Sequence, residues 1–454
     1  MHPRLNLDRI RRYHFQLLAA ALAATGFLLV AVPGLRSGWF PDDLMNIYGA
    51  WTTPVARLAR DIVAPSEEAY RPVGSLVLKG LFHTFGLDVF PYRVLCFFLL
   101  AVNLGLHFLV ARAVSRSVTV AGISACLFSA QAFMSDLYLS TATIYDLLAF
   151  AFVHAGMLVY LQPRARGEAV SWGRWIALGS CALLAAGSKE VGVVLPVMLL
   201  GYEAMFWKGA SRRLLGPFLL TLMVGVAAVL PRMASSGLMQ SNPAYALKFD
   251  LPSIAGMMVV YTRMLLLDNG LRPGVVYAVL GAIAVLAVTW KSAEFRFGVL
   301  LFASAAAPLM LIEPRSLYAL YIAYSGWCLL LAVPLARIPI PPTITLLVVA
   351  AVAGSMNAKA WPLTISWAAP EQARTRCALD ALAPLAPRLA HGARVLIVDD
   401  PYPPDDSILI FAARLLARDS ELQVWRLRSH PQAAEWPEPW SMRVRIAGCK
   451  PALE

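Results

Sequence analysis

Charged side chains are scarce in this chain: Asp, Glu, Lys and Arg make up 15% of its 454 residues, against 59% hydrophobic residues. With a positive mean hydropathy, that scarcity excludes a single water-soluble domain, in which about a quarter of residues are charged. Also missing is the apolar/polar alternation of a membrane β-barrel, so any crossing falls to helices, whose backbone groups satisfy one another without water. Cysteine is limited to six residues and histidine to seven, and their spacing has no zinc-site pattern. No internal repeat and no long low-complexity stretch is found, which excludes solenoids. The net charge of +12 makes no case for nucleic acid, because the positive residues sit in short loops where they set topology and touch anionic membrane lipid.

What is present is a series of apolar runs, each near the ~20 residues needed to cross a ~30 Å hydrocarbon core. Candidate spans lie at 15–34, 91–111, 118–134, 142–161, 175–188, 190–206, 214–231, 274–290, 297–312, 316–336 and 342–356. This is an all-α polytopic membrane protein with about eleven transmembrane helices. The apolar segment 252–268 reads as an interfacial or re-entrant helix, since a further span there would move Lys291 and Arg296 to the outside. The basic residues then sort to one side: Arg4, Arg9, Arg11 and Arg12, Arg112 and Arg116, Arg164, Arg166 and Arg174, Lys208, Arg212 and Arg213, Lys291 and Arg296, and Arg337. By the positive-inside rule that side, with the N-terminus, is the cytoplasm. The first run has a basic flank like a signal peptide, but it exceeds a typical h-region and lacks a cleavage site before Gly34, so it counts as the first membrane helix.

The opposite face collects four polar clusters: the loop 35–90, the GSKE turn at 187–190, the region 232–273 and the EPRSLY turn at 313–318. The long loop carries helical patterning in DDLMNIYGAWTTPVARLARDI and VGSLVLKGLFHTF, as amphipathic helices on the membrane surface would. The membrane unit is expected to span 1–356. From 357 to 454 the chain becomes mixed, Pro-rich and charged, with helix-like EQARTRCALDALAPLA and SILIFAARLLAR and strand-like RVLIV, QVWRL and MRVRIA, a small α/β domain on the outer face. Only Cys377 and Cys449 lie there, and an oxidising compartment permits a disulfide between them.

The ordered series FPDDLMNIY, YRPVGSLVL, FPYRVLCFFLLAVNLGLHFLVARAV, SKEVGVVLPVMLLGYE and EPRSLYALYIAYSG resembles the GT-C class of membrane glycosyltransferases. Its closest flavour is that of protein O-mannosyltransferases and transmembrane and tetratricopeptide-containing O-mannosyltransferases, over about residues 10–340. The resemblance implies a polyprenyl-phosphate sugar donor, an acceptor arriving from the non-cytoplasmic side, and an acidic residue of the first outer loop, Asp42 or Asp43, at the transfer centre. Nothing after residue 356 reads as helical repeats, so the acceptor class stays open among lipid, glycan and protein.

The chemistry can be argued from the residues as well. Moving a glycosyl group from a lipid phosphate to a hydroxyl needs a carboxylate to take the acceptor proton and cations to stabilise the departing phosphate. Asp42 or Asp43 is the candidate base, or the pair shares a divalent ion such as Mg or Mn. Arg71, Lys189 and Arg315 are the phosphate candidates, with Glu190 and Glu313 orienting them, and Tyr318, Tyr321 and Tyr324 offer rings to a sugar. The bland readings are a helix N-cap for the aspartates, snorkelling interfacial charges for the rest, and membrane anchors for the tyrosines. Asp136 and Asp146 flank the fourth span, Asp146 near its outer end, as a cavity-lining or simply interfacial residue. His83, His107 and His154 read as packing residues. The turn Asp399, Asp400, Asp405, Asp406 reads as a solvated loop before a calcium site. Other classes with the same outline are a transporter or flippase of lipid-linked substrates, and a polymerase or ligase of lipid-linked glycans. The composition, rich in Ala, Leu, Arg and Pro, points to a bacterial inner membrane.

Overall fold

In a computed structural model, residues 3–66, 71–168, 170–206, 212–234, 246–435 and 439–453 are described. Tyr70, Lys208 and the 235–245 part of the outer region lie outside them, as do the side chains of Arg4, Arg9, Arg11, Arg12, Arg212 and Arg213.

Helix α1 (Pro3–Ala31) runs into a 3-10 turn, Val32–Arg36, that presses against the chain around Tyr138. A Cβ at Gly34 would lie 1.9 Å from the Tyr138 carbonyl oxygen, so only glycine allows this approach. The long loop folds as α2 (Pro41–Thr52), α3 (Val55–Val63) and α4 (Pro72–Phe85). Each helix starts at or just after a proline, whose missing N–H costs nothing in a first turn. Pro54 accordingly splits the pattern DDLMNIYGAWTTPVARLARDI into two helices.

Helix α5 (Val89–Ser115) is followed by α6 (Val118–Phe128) and α7 (Ser135–Leu139), then α8 (Ile144–Ala165), α9 (Trp172–Ser188), α10 (Leu195–Phe206) and α11 (Arg212–Ala234). After the undescribed segment come α12 (Leu251–Leu265), α13 (Pro273–Thr289), α14 (Ala293–Ala306), α15 (Tyr321–Leu335) and α16 (Pro342–Thr364). Among the described residues six helices are long and apolar enough to cross a membrane, or seven if the pair Val118–Phe128 and Ala132–Leu139, bent by 61°, is one broken span. The chain is an integral membrane protein. Its buried centre is formed by the spans Thr141–Ala165 and Leu317–Leu335, 78% and 83% buried, whereas the others expose most of their surface outward. The apolar segment 252–268 holds a helix of 15 residues, a rise of about 22 Å and too short to cross.

Charged groups within this core are paired. Arg164 is not a loop cation: its guanidinium donates to both carboxylate oxygens of Glu203 at 2.7 Å, and Tyr160 donates to the same carboxylate. His107 and His154 are buried against Ser124 and Ser325, as packing residues.

The C-terminal unit begins with α17 (Ala368–Leu382) and contains β1 (Arg394–Asp399), α18 (Ile408–Ala417), β2 (Gln423–Arg426), β3 (Met442–Ala447) and β4 (Lys450–Leu453). The sheet order is β2-β1-β3-β4, with β1 parallel to both neighbours and β4 closing an antiparallel hairpin on β3. Cys377 on α17 is joined by a disulfide to Cys449 in that hairpin. The acidic turn after β1 is held by a guanidinium. Buried Arg426 donates to Asp400 at 3.0 and 2.6 Å, and to the carbonyls of Tyr402, Pro403 and Asp406.

This unit sits on the helix that follows the first span. Gln372 donates to Ser37 Oγ at 2.7 Å and accepts from Gly38 N at 3.2 Å, and Arg414 donates to the Tyr48 hydroxyl at 2.8 Å. Trp367 packs against Phe40, with ring centroids 4.9 Å apart.

Candidate active site

The two adjacent aspartates have different surroundings. Asp43 is the third residue of α2, and its Oδ2 accepts from the Phe40 backbone N–H at 3.1 Å, the reach-back half of a capping box. The same oxygen accepts from Arg93 Nη2 at 3.1 Å, while Oδ1 accepts from Ser140 Oγ at 2.9 Å and Ala142 N at 2.7 Å. Side-chain exposure of this pair is 1% for Arg93 and 0% for Asp43, so it is a fully buried ion pair with every carboxylate lobe occupied. Arg93 also donates to the carbonyls of Ser37 and Gly38 and lies over the Phe40 ring. Asp43 therefore ties the turn after the first span to α5 and to the approach of α8.

Asp42 points away from this knot. Its carboxylate is accessible, and among the described residues no group donates to it, although its backbone carbonyl accepts from Asn46. The protein packed around it, then the charges of Asp43 and Glu371, raise its pKa above the usual carboxylate range. Glu371 comes from α17, so the C-terminal unit contributes to the electrostatics at Asp42. A metal ion shared by both aspartates does not match this donor set, because binding at Asp43 would displace hydrogen bonds on either oxygen. Among the described residues no three His, Cys, Asp or Glu side chains gather as a metal site.

The second half of the site comes from α4, α8 and the link between α9 and α10. Lys189, just past α9, donates to Asp146 on the first turn of α8 at 2.5 Å. Next to it Arg71 meets Glu190 at 3.2 Å and stands over the Tyr145 ring, 5.4 Å from its centroid. Arg71 has φ +45°, a left-handed backbone that a non-glycine residue adopts at a cost of about 1–3 kcal/mol. A tight contact accompanies this bend: a Cβ on Gly74 would come within 2.3 Å of the Tyr145 ring, so α4 can lie directly on α8 only with glycine there.

Tyr318 links the two halves. Its ring lies 5.1 Å from Lys189 Nζ, and the hydroxyl falls within Coulombic range of Asp146, Asp136, Arg71 and Asp42. Asp136 is itself within range of Asp42 and Asp146. An accessible carboxylate, two cations and a phenol thus converge on one end of the bundle. Arg71, Lys189, Glu190 and Tyr318 are brought together. Glu313 pairs instead with Lys248 at 3.1 Å on the surface, and the Arg315 backbone N–H donates to the Tyr261 hydroxyl. Tyr321 and Tyr324 are buried in an aromatic stack around Phe128.

Three participants escaped the sequence reading: Arg93, Ser140 and Glu371. Arg93 had a signal, since a lone cation inside the apolar run 89–115 calls for a buried partner. Ser140 and Glu371 had none, because each is one polar residue among many until the fold brings it to the aspartates.

The fold matches two crystal structures of ArnT from Cupriavidus metallidurans. To the structure bound to undecaprenyl phosphate the TM-score is 0.54 at 15% identity, over 96% of this chain and 97% of that one. To the apo structure it is 0.55 at 14% identity with the same coverage. No family model matches the sequence, and no curated protein does.

Proposed function

We propose that this chain is a membrane glycosyltransferase that moves a sugar from a polyprenyl-phosphate donor to an acceptor hydroxyl, with inversion, at the end of the bundle that carries Asp42. The observation that carries this reading is the grouping of Lys189, Arg71 and Tyr318 at the end of the bundle where the accessible carboxylate of Asp42, without a donor among the described residues, lies within electrostatic reach of Tyr318, in a fold shared with a protein crystallised with undecaprenyl phosphate. The motif series resembling O-mannosyltransferases supports the same donor class. The topology that goes with it has about eleven spans, the N-terminus in the cytoplasm, and the active site and the domain 357–454 on the periplasmic face of a bacterial inner membrane.

In this reading Asp42 accepts the acceptor's O–H proton as that oxygen attacks the anomeric carbon, and the bond from that carbon to the phosphate oxygen breaks. The departing polyprenyl phosphate carries the negative charge, which Lys189 and Arg71 stabilise. Both cations are paired with carboxylates, Asp146 and Glu190, so phosphate enters by sharing or exchanging those partners. Asp43 and Arg93 position the base without touching the reacting atoms. Arg315 is kept as a third phosphate candidate, on the same outer region.

The test is transfer of radiolabelled sugar from polyprenyl-phosphate donors to a membrane extract by purified protein. Loss of labelled product in Asp42→Asn, with the folded protein recovered in normal yield, is the expected outcome. Lipid binding without turnover in the native chain would turn the reading to a transporter.

A further inference from the structure

The far end of the bundle holds a second site. Helices α5 and α8 both start beside Asp43, α5 through Arg93 and α8 just after Ala142, and α5 alone rises about 40 Å. Their distal ends flank an open groove of about 550 Å³ with Leu109, Ala113 and Leu158 along its apolar side and Arg112, Arg116 and Arg166 around it. All three arginines are exposed, and among the described residues no carboxylate lines this groove. At the rim Glu168 lies 3.7 Å from Arg166 in a loose, solvent-exposed pair. A neighbouring cavity of about 470 Å³ shares Arg116 and adds Lys291 and Arg337, the latter paired with Glu294.

An apolar wall at membrane depth, ending in three guanidinium groups, has the chemistry of a lipid headgroup site and not of a soluble anion site. Acyl chain meets the Leu109–Leu158 side, and a phosphodiester accepts paired N–H bonds from planar guanidinium groups. Basic pockets between membrane helices are a known way of holding anionic headgroups. We propose that this groove binds a phosphate-headed anionic phospholipid of the leaflet opposite Asp42. The second cavity across Arg116 gives a two-phosphate headgroup of the cardiolipin type a place for both charges. This proposal is independent of the transferase reading.

The experiment is native mass spectrometry of the purified full chain, delipidated and then offered equal amounts of cardiolipin, phosphatidylglycerol and phosphatidylcholine. Retention in the order cardiolipin, phosphatidylglycerol, phosphatidylcholine is expected. In Arg112→Gln/Arg116→Gln/Arg166→Gln the preference for anionic over zwitterionic lipid should fall at least about tenfold, while Arg174→Gln, on the same end but outside the groove, leaves it unchanged. An anionic preference that survives the triple substitution, or that Arg174→Gln removes equally, overturns the assignment.

Discussion

Asparagine at position 43 separates a base from a structural anchor. Asp43 accepts four hydrogen bonds, two on each oxygen, and one is half of a buried ion pair with Arg93. In Asp43→Asn one of those oxygens becomes an NH₂ group. If it faces Phe40 N–H and Arg93, two donors meet a donor. If it faces Ser140, the hydroxyl can rotate to accept, but the Ala142 N–H loses its shorter bond and keeps only the one to Ser140 Oγ at 3.2 Å. Each buried group so orphaned costs about 1–3 kcal/mol. In either orientation Arg93, 1% exposed, loses its only carboxylate among the described residues. Breaking such a pair from one side costs about 3–5 kcal/mol, a large share of a typical folding stability of 5–15 kcal/mol. Asp43→Asn should therefore lower the melting temperature in lipid nanodiscs by at least ~5 °C and reduce transfer through loss of folded, correctly positioned protein. Asp42→Asn should leave melting unchanged or slightly raised, because it removes an accessible charge beside Asp43 and Glu371, and should abolish transfer. An Asp43→Asn protein with native melting and no turnover, alongside an active Asp42→Asn, would refute this assignment and make Asp43 the base.

Three further outcomes follow from the same geometry. The raised pKa of Asp42 places the acid limb of the pH–rate profile above the ordinary carboxylate range: the base works deprotonated, so activity falls as pH drops through that raised value. Glu371→Gln, which removes one of the charges raising it, should shift that limb to lower pH. Lys189→Met strips the buried Asp146 of its counter-charge and should lower both melting and transfer; adding Asp146→Asn should restore melting but not transfer, whereas recovery of transfer in the double variant would make Lys189 purely structural. Cys377→Ser/Cys449→Ser opens a link between residues 72 apart in sequence and should destabilise the C-terminal unit by about 2–4 kcal/mol, visible as faster proteolysis there with the membrane helices intact.

What could be read in advance depended on whether the cause was local. Apolar runs, proline starts and the strands RVLIV, QVWRL and MRVRIA are local, and helices and strands occur where those patterns fall. The hairpin strand Lys450–Leu453 was missed because KPAL becomes a strand only by pairing with β3. The break inside 118–139 was missed too, since composition reports apolarity and not direction: a run of spanning length reads the same whether straight or bent by 61°.

The aspartate pair shows the same boundary at the level of chemistry. Sequence singles out both residues, because two acids beside a membrane span are costly, and the helical start at Pro41 suggests that one of them caps. It cannot divide the roles. That division is made by Arg93, 50 residues away, and by Ser140 and Ala142, about a hundred residues away, which converge on Asp43 and leave Asp42 open. Because α2 is amphipathic, with Leu44, Ile47 and Ala50 buried, its rotation is set by packing. Adjacent residues on a helix point about 100° apart, so once one aspartate is turned into the core to meet Arg93, its neighbour is turned away from that knot and is exposed. The buried ion pair and the exposed candidate base are thus two consequences of one helix orientation.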